Sequence, residues 1–279
     1  MAKIIDGRKI SEKILKKVRK EIERKKLNLT LGVIFVGKNK ASEIFIREKE
    51  KAAKKAKVGF KVFHFSEKIS QKDLEKEIKK IASKKEINGL LIQLPLPKKF
   101  NQQKLLDLIP LKKDVDFLSS QALGNFYTQD LKILPPTVSA LKEIFKSYKI
   151  SFKKKRIVLI GGGKLVGKPI ALWLLKNKVS FSLVEKSSSD FSFFLKKADI
   201  LISGVGKESL IKGEMIKKGA ICIDFGVSFK KGKIKGDFDF ESVFKKASYL
   251  TPTPGGTGPI TVACLFKNLL LFNLSNPKI

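Results

Sequence analysis

The chain has 279 residues, 43% of them hydrophobic, enough for two domains with cores of their own. Its net charge of +33 is nearly all lysine, because arginine occurs only five times. Two-point contacts to phosphate favour arginine, so the bias reads as lysine-rich composition, with steering of a polyanionic small substrate as the second reading, and a nucleic-acid partner is not the expected one. No apolar run reaches the ~18 residues of a membrane span, and Met1 to Arg8 lacks the apolar centre of a signal peptide. Cys222 and Cys264 sit in apolar segments and read as buried free thiols of a cytoplasmic protein. His64 is the only histidine, so no metal centre is expected.

In chain order, Ile10, Ile14, Leu15, Val18 and Ile22 have helical spacing and predict a helix over 10–25. A buried strand over 29–36 ends at Gly37. A helix over 42–56 follows, with Ser42 as N-cap, then a strand over 60–65 and a helix over 71–83 capped by Ser70. Gly89 to Leu94 is a strand that runs into Pro95-Leu-Pro97, and 102–108 is a short helix. This alternation implies a parallel sheet with helices on its faces. Residues 115–136 are less regular and are expected to hold the crossing between domains. A helix over 138–148 precedes a second alternation: strands over 157–160, 180–184, 200–203 and 220–224, with a helix over 166–176. An apolar helix over 260–271 closes the chain.

Four places carry chemistry. Pro252 to Thr261 holds three prolines and three glycines in ten residues, a stiff loop suited to close approach of a ligand. Ile160-Gly161-Gly-Gly163-Lys-Leu-Val-Gly167 follows a strand and opens a helix, the setting in which a glycine turn holds a dinucleotide pyrophosphate; a tight turn without ligand is the alternative. Glu185 ends the next strand, where an acid binds the ribose hydroxyl of NAD, whereas Lys186, Ser187 and Ser188 suit a 2′-phosphate. Ser42, Phe45 and Lys49 share one helix face, which places an aromatic ring beside an ammonium group, although composition alone makes Lys49 a solvated lysine. Gln93, at a strand end, and Asp114-Val-Asp116 form the fourth; the aspartates either face one side of an extended segment or cap a turn.

Gln93-Leu-Pro-Leu-Pro97, Lys113-Asp-Val-Asp116, Val166-Gly-Lys-Pro169, Gly219-Ala-Ile-Cys-Ile-Asp224 and Pro254-Gly-Gly-Thr-Gly-Pro-Ile-Thr261, in this order, resemble the bifunctional methylenetetrahydrofolate dehydrogenase/cyclohydrolases of one-carbon metabolism. The resemblance covers nearly the whole chain. It implies an α/β fold: a catalytic folate-binding domain over 1–137 with 258–279, completed by the C-terminal helix, and an inserted Rossmann-like NAD(P)-binding domain over 138–257. It implies oxidation of methylenetetrahydrofolate and hydrolysis of the methenyl product. It also implies tetrahydrofolate substrates, polyglutamylated forms among them, and a homodimer through the Rossmann-like domains. Carried over by position, Lys49 is the cyclohydrolase lysine, Gln93 orients it and Asp116 bonds the pterin. Phe45, Pro254, Gly255, Gly256 and Gly258 line the folate site, and Gly161, Gly162, Gly163, Val166, Gly167, Glu185 and Lys186 hold the cofactor, by family default NADP.

The chain departs from the family at four points. Phe45 stands where the family has tyrosine, so the stacking surface stays and the hydroxyl is lost. Phe117 replaces a glycine, and Pro135-Pro-Thr-Val138 replaces Pro-Cys-Thr-Pro. Gly161-Gly-Gly163 replaces Gly-Arg-Ser, which removes an arginine that helps bind the NADP phosphate and leaves NAD open, as Glu185 does. Two other readings follow: a dehydrogenase whose cyclohydrolase is weakened by Phe45, and a basic nucleic-acid-binding protein on the same scaffold.

Overall fold

The computed structural model describes residues 1–230 and 232–274. In chain order it contains β1 (Lys3–Ile4), α1 (Gly7–Arg24), β2 (Thr30–Val36), α2 (Lys40–Ala56), β3 (Gly59–Phe65), α3 (Gln71–Ser83), β4 (Gly89–Ile92), α4 (Gln102–Leu106), α5 (Ser120–Thr128) and α6 (Pro136–Ser147). There follow β5 (Ile157–Ile160), α7 (Gly167–Lys176), β6 (Phe181–Val184), α8 (Phe191–Lys197), β7 (Ile200–Ser203), β8 (Ile221–Asp224), β9 (Ser228–Lys230), β10 (Lys233–Lys235), α9 (Phe240–Phe244), β11 (Tyr249–Leu250) and α10 (Thr257–Phe272). The chain divides into two compact units, Met1–Ser11 with Thr137–Thr261, and Glu12–Pro136 with Val262–Ile279.

The Glu12–Pro136 unit is built on a three-stranded parallel sheet in the order β3-β2-β4. The central strand β2 is apolar along its length, as a parallel strand covered on both faces must be. Its core gathers Ile34, Leu74, Ile78, Leu90 and Leu105, all fully buried. The later turns of α10 belong to this unit. There Asn268 is buried and donates to the carbonyls of Val115 (3.0 Å) and Leu134 (2.9 Å), which fixes the rotation of an otherwise apolar helix.

The other unit holds a six-stranded sheet, all parallel, in the order β1-β11-β8-β7-β5-β6. This grouping differs from the expected domain boundaries at two places. Residues 1–11 group with this unit, because Lys3 and Ile4 pair with Tyr249 and Leu250. The Tyr148 hydroxyl holds them there: it donates to the Ile4 carbonyl (3.2 Å) and accepts from the Asp6 amide (2.8 Å). Residues 258–261, the first turn of α10, also group here. Residues 275–279 of the expected catalytic domain lie outside the described residues.

Three local expectations also change. Residues 115–136 contain α5, started by the Ser119 side chain, which accepts from the Ala122 amide. The N-cap of α2 is Asn39, whose side chain accepts from the Ser42 amide; Ser42 itself is buried inside the first turn. The segment after β8 holds an antiparallel hairpin, β9 with β10, that periodicity did not suggest.

Candidate functional site

The apolar stripe of α2 buries Ile46, Ala52, Ala53 and Ala56, and Lys49 lies on that stripe. Its side chain is 8% exposed, which excludes a solvated lysine. Lys49 Nζ donates to Gln93 Oε1 at 2.8 Å. Gln93 follows β4, where its amide donates to the Ile34 carbonyl at 2.8 Å, and its Nε2 donates to the Leu94 carbonyl at 2.7 Å. The second bond orients the amide, so that its oxygen and not its nitrogen meets Lys49. Phe45 is half-buried one turn before Lys49 on the same helix.

Burial lowers the Lys49 ammonium from its usual value, and the Asp116 carboxylate opposes this. Asp116 is half-buried; desolvation raises its carboxyl to about 6, against the pull of Lys49 and with a push from Asp114. Both charged forms are thus weakened by desolvation and each is supported by the other. Moving a proton within this pair costs little compared with the same pair in water.

The two aspartates have different work. Asp114 is 1% exposed and accepts from the amides of Leu118 (3.3 Å) and Ser119 (2.9 Å), so it holds the turn into α5. Asp116 is left to face Lys49. Between them and the helix, Phe117 has φ +60°, a left-handed conformation that bulky residues rarely adopt. Its ring is fully buried and stacks on Phe272 at 6.2 Å, and this packing offsets the backbone strain of ~1–3 kcal/mol. The position where the resembling family carries glycine is therefore a left-handed one in this chain.

In the other unit, Gly161 leaves β5 with φ +85° and its amide donates to the Val184 carbonyl at 2.9 Å. A Cβ on Gly167 would overlap the Gly161 carbonyl oxygen, so the start of α7 packs directly on the turn. Val166 precedes α7 and packs on Gly204; Gly163 accepts from the Lys168 amide at 3.0 Å. Glu185, just past β6, accepts from the Gly162 amide at 2.7 Å. Lys186 beside it is exposed. A turn of small residues at the start of a helix, with an acid on the neighbouring strand end, fits a dinucleotide: the backbone can approach a pyrophosphate and the acid a ribose.

The Pro252–Thr261 loop groups with the glycine turn and not with Lys49. Gly255 has φ +106°, and its carbonyl accepts from the Gly7 amide at 3.1 Å. Pro254 and Gly258 are exposed, and Gly256 is buried against Pro252. The structure thus brings Lys49, Gln93 and Asp116 together in one unit, and Gly161, Gly162, Gly163, Val166, Gly167 and Glu185 together in the other. Among the described residues no cluster of histidine, cysteine and carboxylate side chains could hold a metal ion, and no helix is long and apolar enough to cross a membrane.

Sequence reasoning assigned no role to Asp224, Asp237 or Ser203. Each ends or borders a strand and is at most 2% exposed. The signal was present for Asp224, a carboxylate closing the apolar run Ile221-Cys-Ile223, but no local pattern marks Asp237.

Two family models match: the catalytic domain of tetrahydrofolate dehydrogenase/cyclohydrolase over residues 5–116, and its NAD(P)-binding domain over residues 135–276. Bifunctional protein FolD of Aquifex aeolicus is 38% identical over 279 aligned positions, with 97% of this chain and 94% of that protein covered. FolD of Caldanaerobacter subterraneus subsp. tengcongensis is 36% identical, with 96% of this chain and 95% of that protein covered. The crystal structure of the Campylobacter jejuni bifunctional enzyme superposes with a TM-score of 0.91 at 34% identity, covering 98% of both chains. The Trypanosoma brucei enzyme, complexed with NADP cofactor and inhibitor, gives 0.91 at 31% identity, covering 97% of both.

Proposed function

Because this chain belongs to the tetrahydrofolate dehydrogenase/cyclohydrolase family, we propose that Lys49, Gln93 and Asp116 carry the hydrolytic half of its reaction and the Gly161–Gly167 turn serves the redox half. The enzyme oxidises 5,10-methylenetetrahydrofolate with NAD(P)+ to the methenyl compound, and hydrolyses that to 10-formyltetrahydrofolate.

The observation that carries the hydrolytic assignment is the buried Lys49 amine held 2.8 Å from the Gln93 oxygen. The methenyl group is a cation, and a fixed ammonium beside it would oppose its formation. Desolvation brings Lys49 toward the neutral amine, which accepts a proton from the attacking water as the new C–O bond forms; the C–N5 bond then breaks as the hydroxyl becomes the formyl carbonyl, N5 takes up one proton and one proton is left to solvent. Gln93 aims the amine. Asp116 supplies a carboxyl of shifted pKa, suited to hydrogen-bonding the pterin and to relaying charge with Lys49. Phe45 offers a ring face to the flat substrate. Pro254, Gly255, Gly256 and Gly258 give a stiff, side-chain-poor loop for the folate.

Nicotinamide, when bound, supplies the hydride acceptor. Gly161, Gly162, Gly163, Val166 and Gly167 would hold the pyrophosphate, the glycines by letting it approach the turn closely and the start of α7 by its free amides. NADP+ is the proposed cofactor, with Lys186, Ser187 and Ser188 placed for a 2′-phosphate. Glu185 opposes that phosphate by like charge and is the feature that favours NAD+.

The protein acts as a homodimer in the cytoplasm on this reading. β6 is an unpaired sheet edge among the described residues, and Leu175, Leu183 and Phe193 near it are exposed. Sedimentation at the mass of a single chain would refute the dimer. The lysine excess steers polyglutamylated folates, so KM should fall with tail length at low salt, and a KM that ignores tail length would remove that idea.

The decisive assay supplies methylenetetrahydrofolate with NADP+ or NAD+ and follows the reduced nicotinamide and methenyl absorbance together. Reduction without methenyl build-up is expected. Reduction with accumulating methenyl would show that Phe45 has cost the second step, and no reduction with either cofactor would sink the reading.

A further inference from the structure

Behind the carboxyl ends of β7 and β8 lies a pair of buried carboxylates that the reaction does not touch. Asp237 is 0% exposed and accepts three hydrogen bonds: from the Ser203 hydroxyl (2.6 Å), the Val205 amide (2.8 Å) and the Lys207 amide (2.7 Å). Asp224 accepts from the amides of Gly226 (2.8 Å) and Phe238 (3.2 Å). Their placement is reciprocal. A Cβ on Gly226 would overlap the Asp237 carboxyl, and a Cβ on Gly236 would overlap the Asp224 carboxyl. Each carboxylate thus lies against the glycine beside the other, which clasps both feet of the β9–β10 hairpin. Burial and then Asp237 push the Asp224 carboxyl up to about 8, so near neutral pH Asp224 keeps its proton.

The groups that Asp237 binds are the last residue of β7 and the loop leaving it. That loop touches the glycine turn: Val205 would be 3.0 Å from a Cβ on Gly161, and Val166 packs on Gly204. In a doubly wound sheet the dinucleotide lies along the carboxyl strand ends with its pyrophosphate over the first strand-helix turn. Here that turn follows β5, and Glu185 marks the adenosine side at β6. The nicotinamide end therefore runs the other way in the strand order, toward β7 and β8. We propose that Asp237 is a positioning residue for the nicotinamide: by bonding Ser203, Val205 and Lys207 it fixes the β7 exit loop against the glycine turn and so sets where the hydride acceptor rests. This rests on the unit's NAD(P)-binding role but does not depend on which nicotinamide cofactor is used.

Asp237→Asn tests it. One of the two acceptor oxygens becomes an NH2 group facing N–H donors, with little change in volume. Three readouts are taken. In the free protein, hydrogen exchange of the Val205 and Lys207 amides should accelerate while β5 and β6 stay protected. Affinity for NADP+ and NAD+ should fall about 10- to 100-fold, the loss for a buried charge-assisted hydrogen bond, while affinity for ADP-ribose, which lacks nicotinamide, should stay within about threefold. Dehydrogenase turnover should drop with this loss, and methenyl hydrolysis, which uses the Lys49 unit, should stay within about twofold and report that the chain is folded.

Unchanged dinucleotide affinity and turnover would overturn the proposal. So would an equal loss for ADP-ribose and dinucleotide, because that would mean general damage to the unit. If D237N does not fold, Ser203→Ala removes one of the three donors and carries the same test, with about a fivefold loss expected in dinucleotide affinity. An absence of any cyclohydrolase or dehydrogenase activity in the unmodified protein would instead count against the proposed function and leave the amide-exchange result standing on its own.

Discussion

The site around Lys49 and the turn around Gly161 solve different problems with different parts of the chain. In the first, side chains matter: a lysine on the buried stripe of α2, a glutamine fixed by its own next carbonyl, and a carboxyl raised by desolvation. In the second, side chains are mostly kept away, and the backbone is what is presented. Hydrolysis moves protons and needs groups whose ionisation burial can tune. Hydride transfer needs two rings held in contact, so shape and approach decide it. The two activities should therefore fail separately and by different kinds of substitution.

The largest separation should come from Lys49→Ala. It removes the proposed base, and methenyl hydrolysis should fall about 10²- to 10⁴-fold while oxidation of the methylene substrate survives. Equal loss of both, measured on the same preparation, would break the division between the regions. Gly167→Ala should do the reverse. Its Cβ would overlap the Gly161 oxygen and lie 2.8 Å from Gly162 Cα, so nicotinamide reduction should fall at least about tenfold, with hydrolysis retained.

A pH series sharpens the comparison. The folded Asp116 carboxyl titrates at about 6, above an unfolded aspartate at ~3.9, so the folded state binds the extra proton between these values. Stability relative to Asp116→Asn should therefore fall as pH rises from about 4 to about 6, and then level off. Denaturant titrations at several pH values check this; a difference that rises over that interval would contradict the burial argument. Hydrolysis should show an inflection near pH 6 that Asp116→Asn lacks. The smallest effect is expected from Phe45→Tyr, which restores a hydroxyl beside the Lys49 face. Methenyl hydrolysis should rise by about two- to fivefold, the scale of one modest hydrogen bond, and oxidation should not change.

Much of this was legible in the chain. Alternating apolar strands and amphipathic helices gave both parallel sheets, because the two periods are fixed by backbone geometry. The glycine turn was legible from its position between a strand and a helix. Lys49 was not legible from pattern: among so many lysines nothing local marks one as buried, and only the family resemblance singled it out. β1 was missed because two residues carry no period, and the strand exists only through its pairing with β11 and the Tyr148 hydroxyl. The cap of α2 was misplaced because Asn39 and Ser42 are both good N-caps, and the choice depended on which backbone amides the first turn leaves free.

Sequence by itself determined the fold class, the family and the residue types at the two sites, since these depend on local spacing and on ordered motifs. Tertiary structure decided the rest. It made Lys49 a desolvated amine by packing α2 against the end of β4. It divided Asp114 from Asp116 by giving the first two backbone amides to hold. It placed Asp237, which no sequence pattern marks, under the loop that leaves β7. Burial and hydrogen-bond partners are properties of distant segments brought together, and no window of sequence contains them.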